Sequence, residues 1–155
     1  MQVRAGAKVA VARGEFDVST TTEANKLVLR RLFDEVINGH NYAVIDELFA
    51  PDYVNHGPFP ANTPDLASLK RFFAANPESF PDMRVELQEV IAEDDLVAYR
   101  AVVTGTHRGE FGGMKPTGRR INVTEINISR FRDGKMIEHW ALLDEASMIR
   151  QLAGK

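Results

Sequence analysis

The chain has 155 residues and no cysteine, with 44% hydrophobic residues, 26% charged residues and a formal net charge of −3. This length fits one domain with a sizeable core, and the missing cysteine excludes disulfides, thiolate metal sites and thiol nucleophiles. The small negative charge gives no electrostatic footprint for nucleic acid or an anionic membrane, and no run approaches the roughly 18 apolar residues of a membrane span.

Three helices are predicted in the first half of the chain, after an N-terminal extension over residues 1–20. The extension lacks the continuous apolar segment of a secretory signal, so we predict a cytoplasmic protein. A single domain is predicted over residues 21–155, and Thr20 and Glu23 have the spacing of a capping box at its start. Of the three helices, the first is stopped by Asn38-Gly39, the second by Pro51, and the third runs from Thr63-Pro64 to Pro77.

Four strands and a last helix are predicted in the second half. From Met83 the apolar period changes from helical spacing to two, which is typical of half-buried strands. Short turns at Asp94-Asp95 and Asp133-Gly134 join neighbouring strands, so the sheet is predicted to be antiparallel. Helices followed by a strand meander indicate an α+β fold. The predicted strands and the last helix cover residues 83–91, 96–106, 121–131, 135–143 and 145–152.

The sequence contains none of the common catalytic or metal-binding motifs. The four histidines, His40, His56, His107 and His139, have none of the spacings typical of a metal site, so no metal is predicted. A Walker loop, a dinucleotide-binding glycine motif and a nucleophile elbow are also missing. The glycine-rich loop GEFGGMKPTG lies between two strands, so it lacks the helix N-terminus of a phosphate site. Candidate residues must therefore come from distant segments that fold together.

The third predicted strand carries polar side chains on one face and apolar side chains on the other. Glu125 and Asn127 alternate with Ile126 and Ile128. One interpretation is that the polar face simply meets solvent or a partner. The other is that Glu125 and Asn127 line a cavity and act in catalysis, because desolvation would raise the pKa of the carboxyl group into the range useful for acid–base chemistry.

The fourth strand forms a hairpin with the third and contributes His139. If the faces of the two strands match, His139 lies close to Glu125 and Asn127 as a further catalytic candidate; the alternative is a hydrogen-bonded core histidine. Trp140 is interpreted as core or interface packing, with contact to a substrate as the alternative. Asp144, at the junction with the last helix, is interpreted first as an N-cap and second as a catalytic acid.

The segment DYVNH, predicted to be irregular or briefly extended, contains Tyr53, Asn55 and His56. Tyr53 and Asn55 are two residues apart, so on an extended segment they point to the same side, and both can donate a hydrogen bond to a carbonyl or an oxyanion. The alternative is that they only stabilise a loop between prolines. His56 is a candidate for contact with a substrate, and His107, at the end of a strand, for the rim of the pocket.

Five segments together resemble the SnoaL-like polyketide cyclase family, over about residues 22–154. They are ELFAPDYVNH, FPDMRVELQEVIAEDDLV, TGTHRGEFGGMKPTGRRI, FRDGKMIEHW and LLDEASMIRQLAG. The resemblance implies a nuclear-transport-factor-like (cystatin-like) cone, in which a curved antiparallel sheet wraps around a long N-terminal helix. It also implies a cavity for a small hydrophobic substrate, no cofactor, and a homo-oligomer, either a dimer or a tetramer, that packs through the outer face of the sheet.

The site residues of the family match this sequence only in part. The resemblance places the pocket asparagine at Asn55, the paired polar residues of the third strand at Glu125 and Asn127, and the histidine at His139. The aspartate that serves the aldol cyclases as acid and base falls on Ala141, which cannot move a proton. The resemblance therefore implies a relative with altered chemistry, in which Glu125 takes over the proton transfer.

The sequence leaves three functions open. The first is a cofactor-free enzyme that cyclises or hydroxylates an aromatic polyketide or a similar hydrophobic carbonyl compound. In it, Glu125 and His139 would move protons, and Tyr53, Asn55 and Asn127 would hold the carbonyl oxygen. The second is an epoxide hydrolase or isomerase of the same fold, in which Tyr53 and Asn55 grip a water molecule. The third is a non-catalytic protein that binds a small molecule.

Overall fold

A computed structural model describes residues 18–57 and 63–155 of the chain. Residues 1–17 of the predicted N-terminal extension lie outside the described residues, so the boundary near residue 21 stays a prediction. The helices are α1 (Val18–Arg31), α2 (Ile45–Leu48), α3 (Leu66–Ser79) and α4 (Glu145–Ala153). A π-helical segment, Leu32–Ile37, continues α1, and a 3₁₀ turn, Tyr42–Val44, precedes α2.

The first helix forms because its apolar residues recur at helical spacing. Leu29, Leu32, Phe33 and Val36 are all buried, as the sequence predicts. The helix begins at Val18, however, so Thr20 lies inside it and is not its cap. At the other end Asn38 ties the helix to the sheet, because its amide donates to Val85 O (2.8 Å) and accepts from Val85 N (2.9 Å).

Within the described residues, five strands form one sheet in the spatial order β1-β5-β4-β3-β2. The strands are β1 (Phe49–Asn55), β2 (Arg84–Glu93), β3 (Leu96–Thr106), β4 (Arg120–Arg132) and β5 (Lys135–Leu143). The four strands expected from period-two patterning are present, and their neighbouring pairs are antiparallel. The turn at Asp133-Gly134 is also confirmed, with positive φ angles of 51° and 73° at its two residues.

Three helix ends near prolines differ from the prediction. The third helix begins at Leu66 and not at Thr63-Pro64. The helix predicted before Pro51 is present, but it ends at Leu48; the chain is already extended at Phe49, and β1 pairs with β5 in parallel. The sheet is therefore mixed, and Pro51 is tolerated because β1 is an edge strand. The third helix does not end at Pro77 but continues to Ser79. Pro77 lacks a backbone N–H, and this missing donor lies within the last two turns of the helix.

The two faces of the sheet differ sharply in exposure. The inward face of β4 carries Glu125 and Asn127, exposed by only 8% and 2%, among the core residues packed against the helices. Its outward face carries Ile126 and Ile128, which are 59% and 42% exposed. The polar side chains thus point into the molecule and the apolar ones out of it. Among the described residues, no helix is long and apolar enough to cross a membrane.

Candidate functional site

A cavity lies between the inner face of the sheet and the helices. Its volume is about 110 Å³. Most of its wall is apolar, and aromatic side chains make up much of it: Phe33, Phe49, Phe72, Phe73, Phe80 and Phe111. The polar residues of the wall are Tyr53, Tyr99, Glu125, Asn127 and His139. An apolar cavity with few polar groups is the usual form of a small-molecule site.

A bulge in the β4–β5 hairpin brings His139 to this cavity. Next to the turn Phe131 pairs with Met136, but one step further Arg130 pairs with Glu138, so Ile137 is an extra residue in β5. Because of this shift, His139 lies opposite Ser129 on the inward face. A regular hairpin would place His139 on the outward face instead. The sequence left open whether the faces of Glu125, Asn127 and His139 match; in the structure they do, because β5 is not regular.

Glu125 has the electrostatic properties of an acid–base catalyst near neutral pH. Removal of the carboxyl group from water raises its pKa to about 7, because burial penalises the charged form. A hydrogen bond from the Asn127 side chain lowers the pKa and so offsets part of this rise. Near neutral pH the group is therefore divided between its acidic and basic forms, which is the condition for efficient proton transfer.

His139 is neutral at physiological pH. Burial lowers its pKa to about 4, because partial removal from water penalises the charged imidazolium. Its Nδ1 lies 3.0 Å from the hydroxyl oxygen of Ser129, and its ring stacks on Tyr99 at 6.3 Å between centroids. The hydroxyl and the tyrosine ring fix the orientation of the imidazole. In the tautomer whose Nδ1 accepts from the Ser129 hydroxyl, the neutral imidazole can donate one hydrogen bond from its other nitrogen.

Two tyrosines complete the polar end of the cavity. Burial raises the pKa of Tyr53 and of Tyr99, and the negative charge of Glu125 raises that of Tyr99 further. Both phenols therefore remain protonated and can act as hydrogen-bond donors. Sequence reasoning singled out Tyr53 but missed Tyr99. The period-two pattern of β3 signals that Tyr99 points inward, but not that it lies opposite Asn127.

His56 and Trp140, two candidates for contact with a substrate, do not line the cavity. The bulge that turns His139 inward leaves Trp140 opposite Ile128 on the outward face. There the rings of His56 and Trp140 stack at 4.8 Å, and His56 Nε2 lies 3.0 Å from the carboxylate of Glu138. Arg130 covers Trp140 at 5.6 Å and also pairs with Glu138. Trp140 therefore belongs to a surface cluster, in line with the packing interpretation.

Asn55 and His107, the other two histidine and asparagine candidates for contact with a substrate, are buried but do not line the cavity. Asn55 stabilises its own loop: it donates to Thr63 Oγ1 (3.1 Å) and accepts from Gly57 N (3.1 Å). His107 lies behind the wall, with its ring stacked on Phe80 at 5.3 Å and its Nδ1 accepting from Thr117 N (3.3 Å). Both residues position loops around the cavity.

Asp144 caps α4, as its first interpretation predicts. Its carboxylate accepts hydrogen bonds from Ser147 N (3.0 Å) and Ser147 Oγ (2.6 Å), and these bonds lower its pKa. The side chain is exposed and outside the wall of the cavity, so the second interpretation, a catalytic acid, does not fit its position. Among the described residues, no group of three or more histidines and carboxylates is placed to hold a metal ion.

We expect Asp144→Ala to destabilise the protein by about 1 kcal/mol, because the first turn of α4 loses its cap. Asp144→Asn should keep the stability of the wild type, since asparagine is an equally good cap. Chemical denaturation of the two variants checks this. A loss of stability in Asp144→Asn as large as that in Asp144→Ala would contradict the assignment as a cap.

Comparison with known proteins gives consistent results. Residues 27–152 match the model of the SnoaL-like polyketide cyclase family. Aklanonic acid methyl ester cyclase AcmA from Streptomyces galilaeus is 33% identical over an alignment of 132 residues that covers 80% of this chain and 87% of AcmA. The match therefore covers nearly all of the fold described above.

Two solved structures resemble the chain closely. IdmH from Streptomyces antibioticus, a candidate polyketide cyclase, has a TM-score of 0.73 and 36% identity, covering 83% of this chain and 98% of IdmH. AclR from Streptomyces galilaeus, a candidate hydroxylase, has a TM-score of 0.75 and 29% identity, covering 86% and 83%. These similarities confirm the predicted nuclear-transport-factor-like fold. The chain is therefore a member of the SnoaL-like polyketide cyclase family.

Proposed function

We propose that the protein is a cofactor-free enzyme that removes a proton next to the carbonyl group of an aromatic polyketide or a similar hydrophobic compound. The observation that carries this proposal is the carboxyl group of Glu125, whose pKa of about 7 places a usable base inside an apolar, aromatic cavity. The names of the relatives, a methyl ester cyclase among them, point to the same class of substrate.

The side chains around Glu125 suit the removal of such a proton. The Glu125 carboxylate takes the proton from the carbon, and the electron pair moves to the carbonyl oxygen as an enolate. Hydrogen bonds from the neutral His139 imidazole and the Tyr53 phenol stabilise that oxygen, in a site where the low dielectric strengthens each bond. In a cyclisation, the enolate carbon then attacks a second carbonyl group, and protonated Glu125 returns the proton to the new alkoxide.

Ala141 supports the assignment of this role to Glu125. The resemblance to the family places the catalytic aspartate of the aldol cyclases at position 141. In this protein the position is a buried alanine that lies opposite Asn127. Glu125 precedes Asn127 by two residues on the same face, so it is a diagonal neighbour of Ala141. The Cα atoms of such neighbours are roughly 7–8 Å apart. A carboxyl group on β4 can therefore serve the same part of the cavity as one on β5.

Other functions have weaker support. Hydroxylation stays an alternative because AclR is described as a candidate hydroxylase. An epoxide hydrolase or isomerase that relies on Tyr53 and Asn55 is disfavoured, because the Asn55 side chain bonds within its own loop. Non-catalytic binding is the remaining alternative, and a cytoplasmic location stays a prediction.

Proton exchange with solvent tests the proposal before the natural substrate is known. The purified protein is incubated in D₂O with methyl β-naphthyl ketone, and mass spectrometry follows the replacement of its acetyl hydrogens by deuterium. We expect exchange to be faster with the protein than in buffer alone. If the ketone binds but exchange proceeds at the buffer rate, the protein is a binding protein and the proposal fails.

We also propose that the outer face of the sheet forms the homo-oligomer contact. Ile126 and Leu142 lie directly opposite each other there and are 59% and 67% exposed, and Ile128 continues the apolar surface. Leu142→Glu should lower the mass measured by light scattering to that of one chain. Leu27→Glu is the matched control, because Leu27 is 62% exposed but lies on α1, which packs on the other face. Equal masses for both variants would contradict the proposal.

A further inference from the structure

The closed cavity is too small for the ligand that the proposed function requires. Sites for drug-sized molecules usually measure about 300–1,000 Å³, whereas this cavity measures about 110 Å³. A dry cavity of about 150 Å³ in another protein holds a single benzene ring. The closed cavity can therefore take about one ring, and a polycyclic ketone must extend beyond it.

A groove lies beside the cavity, where α2, β1 and the start of α3 meet. Its volume is about 480 Å³. It is lined by Asp46, Phe49, Pro51, Leu66, Ala67 and Lys70. The next turn of α3 already belongs to the cavity, because Leu69 and Phe72 lie in its wall. The groove is thus the nearest space into which a ligand of the cavity can extend.

Phe49 separates the two spaces. Of the residues that the structure describes, Phe49 alone belongs to the wall of both the cavity and the groove. It is 2% exposed, and its ring packs edge-on against Tyr53 at 5.0 Å between centroids. The partition between cavity and groove is therefore a single aromatic side chain.

The surroundings of Phe49 hold this partition only weakly. Between the positions of β1 at which Phe49 and Val54 pair with β5, four residues of β1 lie against one residue of β5, so β1 leaves the regular ladder directly after Phe49. On the groove side, α2 and α3 are joined by the ion pair of Asp46 and Lys70 (2.6 Å), whose side chains are 70% and 40% exposed. An ion pair this exposed contributes little stability, so it does not lock the two helices together.

We propose that the Phe49 ring swings aside when a polycyclic ligand binds, so that the cavity and the groove become one binding site. The ring next to the reactive carbonyl group occupies the cavity, and the far rings lie in the groove against Leu66 and Ala67. Side-chain rotamer changes of this kind are common on binding. Polar substituents at the far end of the ligand meet Asp46 and Lys70, which offer an acceptor and a donor at the rim.

The inference rests on the proposed function for the class of ligand and adds a second subsite for its length. Acetophenone has one ring, which the cavity can hold by itself. Methyl 2-anthryl ketone carries the same acetyl group on three fused rings in a row, so its far rings need the groove. The two ketones therefore separate binding in the cavity from binding in the groove.

Ala67→Trp tests the groove directly, because it places a large side chain at an exposed position of the groove wall. We expect this variant to bind methyl 2-anthryl ketone at least roughly tenfold more weakly than the wild type, since the far rings lose their apolar contacts. Its affinity for acetophenone should stay unchanged. Titrations followed by ligand fluorescence for the three-ring ketone and by NMR for acetophenone measure the two affinities.

Ala74→Trp is the matched control. Ala74 is exposed on the same helix and lines neither the groove nor the cavity, so this variant should bind both ketones as the wild type does. Wild-type affinity of Ala67→Trp for the three-ring ketone overturns the inference. An equal loss of affinity in Ala74→Trp overturns it as well, because the loss would then not come from the groove.

The wild-type complex provides a test that needs no variant to fold. We expect nuclear Overhauser contacts between the far ring of methyl 2-anthryl ketone and the methyl groups of Leu66 and Ala67. A bound three-ring ketone without these contacts overturns the inference. The proposed function still stands in that case if the protein binds acetophenone and speeds the deuterium exchange of its acetyl hydrogens. If the wild type binds neither ketone, the proposed function fails together with the inference.

Discussion

Glu125→Gln is expected to lower the rate of enzyme-dependent proton exchange at least 100-fold while leaving the fold intact. General acid–base catalysis by one positioned group typically contributes about 10²–10⁴ in rate. Glutamine keeps the shape of the side chain and can still bond with Asn127, but it cannot accept the proton. The measurement is the deuterium exchange of methyl β-naphthyl ketone in D₂O, with circular dichroism as the check on folding.

The control for this loss is Glu93→Gln. Glu93 is an exposed carboxylate at the end of β2, so its replacement makes the same chemical change outside the cavity and should leave the exchange rate unchanged. A Glu125→Gln protein that is folded and exchanges protons at the wild-type rate would remove Glu125 from the mechanism. The base would then have to be another group in the wall of the cavity.

The convergence of the β4 and β5 residues could be predicted from the sequence only in part. The turn Asp133-Gly134 identifies the hairpin, and the hairpin makes β4 and β5 neighbours. The register that follows from the turn alone would nevertheless pair Asn127 with Trp140 and turn His139 outward. A one-residue shift moves every following side chain to the other face. The bulge at Ile137 causes this shift, and no residue type in the segment MIEHW indicates a bulge.

The sequence could not predict which residues meet on strands that are not joined by a short turn. Tyr99 lies opposite Asn127 in the β3–β4 pair, but the long loop between these strands hides their register. The parallel pairing of β1 with β5 joins segments that are far apart in the chain. On β1, Tyr53 reaches the cavity, whereas Asn55, at the end of the strand, bonds with Thr63.

The sequence shows that polar and apolar side chains alternate along β4, but it does not show which of the two faces points into the protein. Glu125 and Asn127 on one face and Ile126 and Ile128 on the other are equally compatible with a polar surface and with a polar cavity wall. Hydrophobicity alone favours an inward isoleucine face. The structure has the opposite arrangement because helices cover the face with Glu125, and the isoleucines form an exposed surface for which we propose a second copy of the chain.

The free energy of unfolding is expected to depend strongly on pH because of Glu125. The pKa of Glu125 is raised from 4.5 to about 7 in the folded protein. Between these values the folded state holds a proton that the unfolded state has lost, so the free energy of unfolding falls as the pH rises. At about 1.4 kcal/mol for each pH unit, the loss amounts to about 3 kcal/mol above neutral pH. Glu125→Gln has no such loss.

His139 has the opposite effect, which is why the wild-type protein alone does not reveal the titration of Glu125. Its pKa falls from 6.5 to about 4 on folding, so the unfolded state binds the extra proton and the free energy of unfolding rises with pH between these values. The two contributions oppose each other over most of the same range. In Glu125→Gln only the rise from His139 remains.

We therefore expect the stability of Glu125→Gln relative to the wild type to increase by about 3 kcal/mol between about pH 5 and pH 8. For a chain of this length this corresponds to a gain in melting temperature of roughly 6–12 °C. Thermal unfolding of both proteins across this range measures the difference, and the shifts of surface carboxylates cancel because both proteins share them. Parallel stability curves would mean that the carboxyl group is solvated in the folded protein. Its pKa would then be ordinary, and the cavity would lack the neutral-pH base on which the proposed proton transfer depends.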